Sequence, residues 1–217
     1  MRIALIALLV AISSPLCTAQ SRKTPDVLVK QAQNRFVLIT TQCQLGSGFL
    51  TGHTHLGLHE VVTAYHLTRC PRRAGKAVVR ADGTRAIITS VSRKNDLMRV
   101  LVKLHRRVLP VVVRTKLVTG EQVFAVGSNS RGRRHLVVNG HVLIFSPGYI
   151  MSKLMVPHGG SGGQLVGVKD GAVIGVPLSQ GLGFTSSADG QTLLDFIALA
   201  RRRDALSLSK LNRAFQN

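Results

Sequence analysis

Pairs of turn residues divide most of this chain into short segments of the β type, and this spacing restricts the fold more than any other feature. Asp82-Gly83, Asn139-Gly140 and Asp170-Gly171 each lie between runs rich in valine, isoleucine and leucine. Such dipeptides favour the positive φ angles of tight hairpin turns. The sequence therefore predicts an all-β barrel or sandwich of many short strands.

One stretch has the apolar periodicity of a convincing helix, residues 191–203. Asp189 is a suitable N-cap, and three consecutive arginines suit the C-terminal end. The apolar face of this helix is formed by Leu193, Leu194, Ile197 and Ala200. We divide the remaining chain into a polar leader over residues 20–35, one globular domain over residues 36–203 and a short basic tail over residues 204–217.

The first 19 residues have the pattern of a secretory signal peptide. A basic residue precedes the apolar run 3–12, and Cys17-Thr18-Ala19 suits cleavage before Gln20. The run is shorter than the roughly 20 residues of a transmembrane helix, so we predict a secreted or periplasmic protein without a transmembrane anchor. Cys43 and Cys70 would then be either a disulfide or two separate thiols.

The chain is strongly basic, with a net charge of +20. Such a charge attracts polyanions, although a solvated basic surface needs no partner. The chain has no tryptophan, seven phenylalanines and two tyrosines, which supplies few platforms for stacking nucleic-acid bases. A specific nucleic-acid-binding function is therefore disfavoured.

Ser161 lies between two glycines on each side, in the stretch VPHGGSGGQLVG. Such a run is typical of a flexible loop, but it is also compatible with a nucleophile in a tight turn. His66 follows an apolar strand and Asp96 precedes another. A serine nucleophile needs a base within hydrogen-bond reach, and the base needs a carboxylate to orient it. The three residues together favour nucleophilic catalysis.

The chain resembles the chymotrypsin-fold, or trypsin-like, serine proteases, and most closely the protease domain of the HtrA or Deg type. The resemblance extends over residues 36–203 and depends on the motifs GSGFL, VVTAYH, NDLMRVLV, GEQVFAVGS, GGSGGQLVGVKDGAVIGV and GLGFTSSADGQTLLDFIAL. It implies two six-stranded antiparallel β-barrels with a C-terminal helix, and an active site between the barrels. We expect the protease domain to lack the peptide-binding module of the HtrA type.

The resemblance also implies residue roles. His66 would be the general base, Asp96 its orienting carboxylate and Ser161 the nucleophile, with the N–H groups of Gly159 and Ser161 as the oxyanion hole. Apart from the resemblance, the missing side chain of Gly162 would allow close approach of the substrate.

The resemblance also bears on residues of the serine loop and the substrate pocket and on two cysteines. Gly160 departs from the family pattern, which most often has Asp, Asn or Thr before the serine. Met155 would lie near the base of the specificity pocket, where a trypsin has a carboxylate, which favours a small or medium apolar substrate residue. His158 would lie at the mouth of the pocket, where it either contacts an acidic or polar substrate group or faces solvent. Cys43 and Cys70 bracket the histidine strand, where trypsin-like enzymes often have a disulfide.

A group of histidines is a possible metal site. The residues are His53, His55, His59 and Glu60. Their spacing could bind zinc, but a solvated loop between two strands is the favoured explanation, and we predict no metal and no cofactor.

We therefore predict an exported serine endopeptidase that acts on proteins or peptides through an acyl-enzyme. The alternative is a protease-fold protein that has lost activity and binds an anionic partner through its basic surface.

Overall fold

The computed structural model describes residues 26–69 and 78–215, with side chains up to residue 205. The predicted signal peptide and Cys70 lie outside the described residues, so the signal peptide and the disulfide stay predictions. None of the helices in the described ranges has both the length and the apolar character needed to cross a bilayer.

The first half of the chain forms a closed antiparallel barrel in the order β1-β2-β3-β6-β5-β4. Its strands are β1 (Phe36–Thr40), β2 (Leu45–His55), β3 (Leu58–Ala64), β4 (Val79–Ala81), β5 (Thr84–Ser92) and β6 (Leu97–Val102). Asp82 and Gly83 connect β4 to β5 with φ angles of +49° and +82°, as predicted for a tight hairpin turn.

The second half forms another closed barrel, in the order β10-β11-β12-β9-β8-β7. Its strands are β7 (Gln122–Gly127), β8 (Leu136–Ser146), β9 (Tyr149–Lys153), β10 (Gln164–Gly167), β11 (Val173–Gly181) and β12 (Phe184–Asp189). The two six-stranded barrels confirm the predicted fold class.

The hairpin predicted at Asn139-Gly140 is wrong, because both residues lie inside the long strand β8. They pair with Phe124 and Val123 of β7. A Cβ atom on Gly140 would be 2.1 Å from the carbonyl oxygen of Lys153, so glycine is required here for close approach of the backbones rather than for a turn.

Two α-helices flank the barrels in the described chain. Helix α1 (Asp26–Arg35) occupies part of the leader, where we predicted no helix. Helix α2 (Gly190–Phe215) includes the predicted helix and continues through most of the predicted tail. Asp189 caps α2 as predicted, since its Oδ1 accepts a hydrogen bond of 2.8 Å from the Thr192 N–H.

The largest apolar cluster joins both barrels and both helices. It includes Phe36 and Phe49 from the first barrel, Phe124 from the second, Ala32 from α1 and Phe196 from α2. Because burial of apolar surface is the main force that stabilises folded proteins, this shared core holds the barrels together and fixes the cleft between them.

Candidate active site

The pairing of β3 with β6 brings His66 and Asp96 together. These strands are antiparallel, and Ala64 at the end of β3 lies opposite Leu97 at the start of β6. The residues just beyond these positions must therefore be neighbours. His66 lies in a short 3-10 helix, Tyr65–Thr68, and Asp96 lies in the turn before β6.

Three hydrogen bonds fix the imidazole against the aspartate. Nδ1 of His66 is 2.6 Å from Oδ2 of Asp96, and the backbone N–H of His66 donates to Oδ1 at 2.8 Å. The carbonyl of Asp96 accepts from the N–H of Tyr65 at 2.9 Å. Since the carboxylate holds Nδ1, the other ring nitrogen, Nε2, is left to exchange a proton with a further group.

The backbone of Asp96 has a φ of +53°. This left-handed conformation is uncommon outside glycine and occurs at sites where the surrounding structure enforces it. Here the carboxylate and the carbonyl of Asp96 both accept hydrogen bonds from residues 65–66. The conformation is therefore maintained by the same contacts that orient His66.

Ser161 lies in the turn before β10, on the second barrel. Its carbonyl accepts a hydrogen bond of 2.9 Å from the N–H of Ser47 in β2, which links the turn to the first barrel. Its hydroxyl donates to the carbonyl of Leu178 at 3.0 Å. Ser161 and His66 both line one cleft of about 220 Å³, so the structure brings the three predicted catalytic residues to one site.

The contacts of Gly162 explain one of the glycines beside Ser161. Gly162 has a φ of +85°, and a Cβ atom there would be 2.3 Å from the carbonyl oxygen of Ser47 and 2.6 Å from the nitrogen of Ala64. Sequence reasoning assigned this glycine to substrate approach. The structure instead shows that it allows the serine turn to lie directly against the backbone of the first barrel.

Two buried hydroxyl groups orient the Gly159–Gly160 peptide, one peptide bond before Ser161. The carbonyl of Gly159 accepts hydrogen bonds from Ser47 Oγ at 2.7 Å and Ser128 Oγ at 2.8 Å. Sequence reasoning missed both serines, although each lies in a motif of the resemblance, GSGFL and GEQVFAVGS.

The N–H groups around Ser161 differ in their partners. That of Gly160 donates to the carbonyl of Pro157 at 2.8 Å. In the part of the chain that the structure describes, neither the N–H of Gly159 nor that of Ser161 donates a hydrogen bond to a protein acceptor. Two unpaired donors therefore flank the Gly160 amide.

The cleft wall differs from the prediction at Met155. The Met155 side chain is 62% exposed and does not line the cleft. The neighbouring residue, Val156, takes the position in the cleft wall that was predicted for Met155. Val156 and Thr185 are buried and line the cleft together with His158, which was predicted there. Of the ionisable residues, only His66 and His158 belong to the described lining.

The histidine group lies on the hairpin of β2 and β3 rather than in a loop. His53 and His55 are at the end of β2, whereas His59 and Glu60 are in β3. Glu60 is buried, and its carboxylate forms ion pairs with Arg99 and Arg201. No group of three or more metal-binding side chains occurs among the described residues, so the zinc alternative has no geometric support there.

The sequence matches the trypsin-like peptidase domain over residues 46–176. Among solved structures, Rv3671c from M. tuberculosis H37Rv, in an inactive form, superposes with a TM-score of 0.66 at 17% identity, over 83% of this chain and 92% of that one. Deg5 superposes with a TM-score of 0.64 at 22% identity, over 78% of this chain and 90% of that one. No curated protein sequence matches the chain.

The superpositions agree with the two-barrel fold, and the matched region includes His66, Asp96 and Ser161. The chain therefore belongs to the trypsin-like peptidase domain family.

Proposed function

We propose that this peptidase is an exported serine endopeptidase with Ser161 as nucleophile, His66 as general base and Asp96 as the carboxylate that orients the base. The observation that carries the proposal is that the three side chains come from two different barrels and meet at one cleft. The hydrogen-bonded pair His66–Asp96 comes from the first barrel, and Ser161 reaches the same cleft from the second.

In the first step, Oγ of Ser161 attacks the carbonyl carbon of the scissile peptide bond while its proton passes to Nε2 of His66. The hydroxyl must first exchange its hydrogen bond to Leu178 for one to His66, which requires rotation of the serine side chain. Catalytic hydrogen bonds often form only when the substrate is present. Asp96 stabilises the imidazolium, which then protonates the leaving amine.

The unpaired N–H groups of Gly159 and Ser161 are the proposed oxyanion hole. Negative charge develops on the substrate oxygen in the tetrahedral intermediate, and preorganised backbone donors stabilise that charge. The hydrogen bonds from Ser47 and Ser128 to Gly159 support this role, because they hold the adjacent peptide in place without a carboxylate at position 160.

The cleft favours a small or medium apolar side chain at the substrate residue before the scissile bond. Val156 is an apolar wall, and the hydroxyl of Thr185 is already occupied, since it donates to the Leu154 carbonyl at 2.8 Å and accepts from Val156 N–H at 3.3 Å. No carboxylate belongs to the described lining, so a basic substrate side chain would lose its hydration without gaining a partner of opposite charge.

Export is proposed from the first 19 residues alone. If the chain is exported, we propose a secreted or periplasmic location and a disulfide between Cys43 and Cys70. N-terminal sequencing of the protein recovered from outside the cytoplasm tests this part. We expect the mature chain to begin at Gln20, and a chain that retains Met1 would contradict export by cleavage.

The serine mechanism is tested by labelling with a fluorophosphonate probe, which reacts with activated serines. We expect labelling of the parent protein, none of Ser161→Ala, and strongly reduced labelling of His66→Ala. Ser146→Ala is a matched control, because Ser146 is exposed in the β8–β9 hairpin. Absence of labelling in a folded parent protein would refute the mechanism and favour the inactive binding protein.

A further inference from the structure

A cluster of four charged residues lies between the first barrel and helix α2. Two of them belong to the barrel and two to the helix. Arg99 on β6 and Glu60 on β3 have no exposed surface, and Nε of Arg99 donates to Oε2 of Glu60 at 2.7 Å. A charge of this kind is expensive to remove from water unless partners satisfy it. Two of the partners are hydroxyl groups of the first barrel, since Thr51 donates to Glu60 at 2.7 Å and Thr89 accepts from Arg99 at 2.9 Å. The other partners of Arg99 and Glu60 therefore indicate what the cluster does.

Both remaining charged partners come from α2. Nη1 of Arg99 is 2.6 Å from Oδ2 of Asp204, and Nη2 of Arg201 is 2.6 Å from Oε1 of Glu60. Asp204 is buried, although it lies in the segment predicted to be a tail. Burial by itself would raise the pKa of Glu60, but hydrogen bonds from Arg201 and Thr51 and the charge of Arg99 lower it below its ordinary value.

The position of the cluster relates it to catalysis. Glu60 is on the strand that leads to His66, and Arg99 is on the strand that begins directly after Asp96. Helix α2 follows β12, a strand of the second barrel. The cluster therefore connects the strands that support the base to an element that is continuous with the barrel of the nucleophile.

We infer that Glu60, Arg99, Arg201 and Asp204 form an interbarrel clasp, which positions Ser161 relative to the pair His66–Asp96. The inference rests on the proposed serine mechanism.

Burial of the apolar core around Phe196 stabilises the contact between the barrels but does not fix their relative orientation strongly, because the hydrophobic effect is not directional. The guanidinium of Arg201 holds both carboxylate oxygens of Glu60, at 3.2 Å and 2.6 Å, and such a planar pair forms in few geometries. The Arg99–Asp204 ion pair adds attraction of opposite charges beside it. The clasp therefore selects one orientation among the packings that the core permits.

A purely structural role would lower only the stability of the fold. The clasp acts through alignment, and a small misplacement of reacting groups reduces the rate even in a folded enzyme. Because His66 and Asp96 belong to the same barrel, their mutual hydrogen bond persists when the barrels shift. A weakened clasp thus impairs the reactivity of Ser161 and leaves the base intact.

The test uses the full chain with Asp204→Asn, which retains the shape of the side chain and removes its charge. At temperatures where circular dichroism shows a folded protein, we expect kcat and the rate of fluorophosphonate labelling to fall at least about tenfold, with little change in KM. The low-field proton signal of the His66–Asp96 hydrogen bond should persist. Arg202→Met is the control, since Arg202 is exposed on the same helix, and Asp204→Glu should partly restore the rate.

A second measurement does not depend on activity. The amide of Ser47 donates to the carbonyl of Ser161 across the barrels at 2.9 Å, so its hydrogen exchange should accelerate in Asp204→Asn and not in Arg202→Met. Unchanged kcat together with unchanged exchange in folded Asp204→Asn would overturn the clasp, as would loss of the low-field signal. Faster exchange in a protein whose parent fails to label would support the clasp and refute only the serine mechanism.

Discussion

Removal of the leader helix should destabilise the protease without acting as an activation switch. We consider three chains, which begin at Gln20, Val27 and Asn34. The first is the predicted mature protein. The second loses only Asp26 from the described part of α1, and the third loses nearly the whole helix. Because Gly160 offers no carboxylate for a newly freed amine, no ion pair of that kind can form on trimming.

The magnitude follows from the contacts of α1. Ala32 is fully buried, and Leu28 and Val29 pack against the shared core. The buried amide of Gln164 donates to the Ala32 carbonyl at 2.5 Å. Loss of this partial apolar burial and of one buried hydrogen bond costs about 3–6 kcal/mol. The conformational entropy that the helix regains is nearly balanced by the loss of its own backbone hydrogen bonds, so we expect a net loss of about 3 kcal/mol in the free energy of unfolding, the lower end of that range.

For a chain of this size, such a loss lowers Tm by about 6–12 °C. The assay combines thermal unfolding with hydrolysis of one neutral peptide at 25 °C. We expect equal Tm and activity for the Gln20 and Val27 chains, and a lower Tm for the Asn34 chain. An Asn34 chain with the Tm of the Gln20 chain would refute the packing argument. A silent Gln20 chain that gained activity at only one new N-terminus would show a zymogen instead.

Four further predictions concern the site and its surroundings. Asp96→Asn should lower kcat by about 10⁴-fold, since an amide favours the wrong imidazole tautomer; a loss below tenfold in a pre-steady-state assay would contradict the assignment. Gly162→Ala should abolish labelling of Ser161 in a soluble, folded chain, because the added Cβ meets the backbone at Ser47; normal labelling would show that the barrels yield. The Tm difference between the parent and Glu60→Gln should be full above pH 4.5 and shrink as the pH falls below that value, because the folded state lowers the pKa of Glu60; a difference constant from pH 6 to 3 would exclude an ionised Glu60. Retention on heparin should fall steeply with salt while hydrolysis of a neutral peptide changes little, and parallel losses would show that the basic surface takes part in turnover.

The all-β class was accessible from sequence because strand alternation and hairpin dipeptides are local signals. The two barrels and the grouping of His66, Asp96 and Ser161 were predicted from the resemblance, since the grouping depends on the pairing of distant strands. The Asn139-Gly140 error comes from the local signals, since the dipeptide has the composition of a turn. Its placement in β8 depends on pairing with β7 and on the approach of β9, which are not local.

Other features could not be read from sequence because they depend on contacts between distant segments. The polar composition of residues 26–35 conceals a helix whose few apolar side chains meet the core. Arg99 reads as a surface residue, and only the fold shows that Glu60 and Asp204 surround it. Met155 and Val156 are adjacent, and a shift of one residue decides which of them faces the cleft.

The division of the site between two barrels also has a consequence for biosynthesis. His66 and Asp96 emerge from the ribosome well before Ser161, and the second barrel needs residues as far as Asp189 to close. Under the proposed mechanism, the unfinished chain would have a base without a nucleophile. Hydrolysis would begin only after the last strands have formed, so an incomplete chain would not act as a protease.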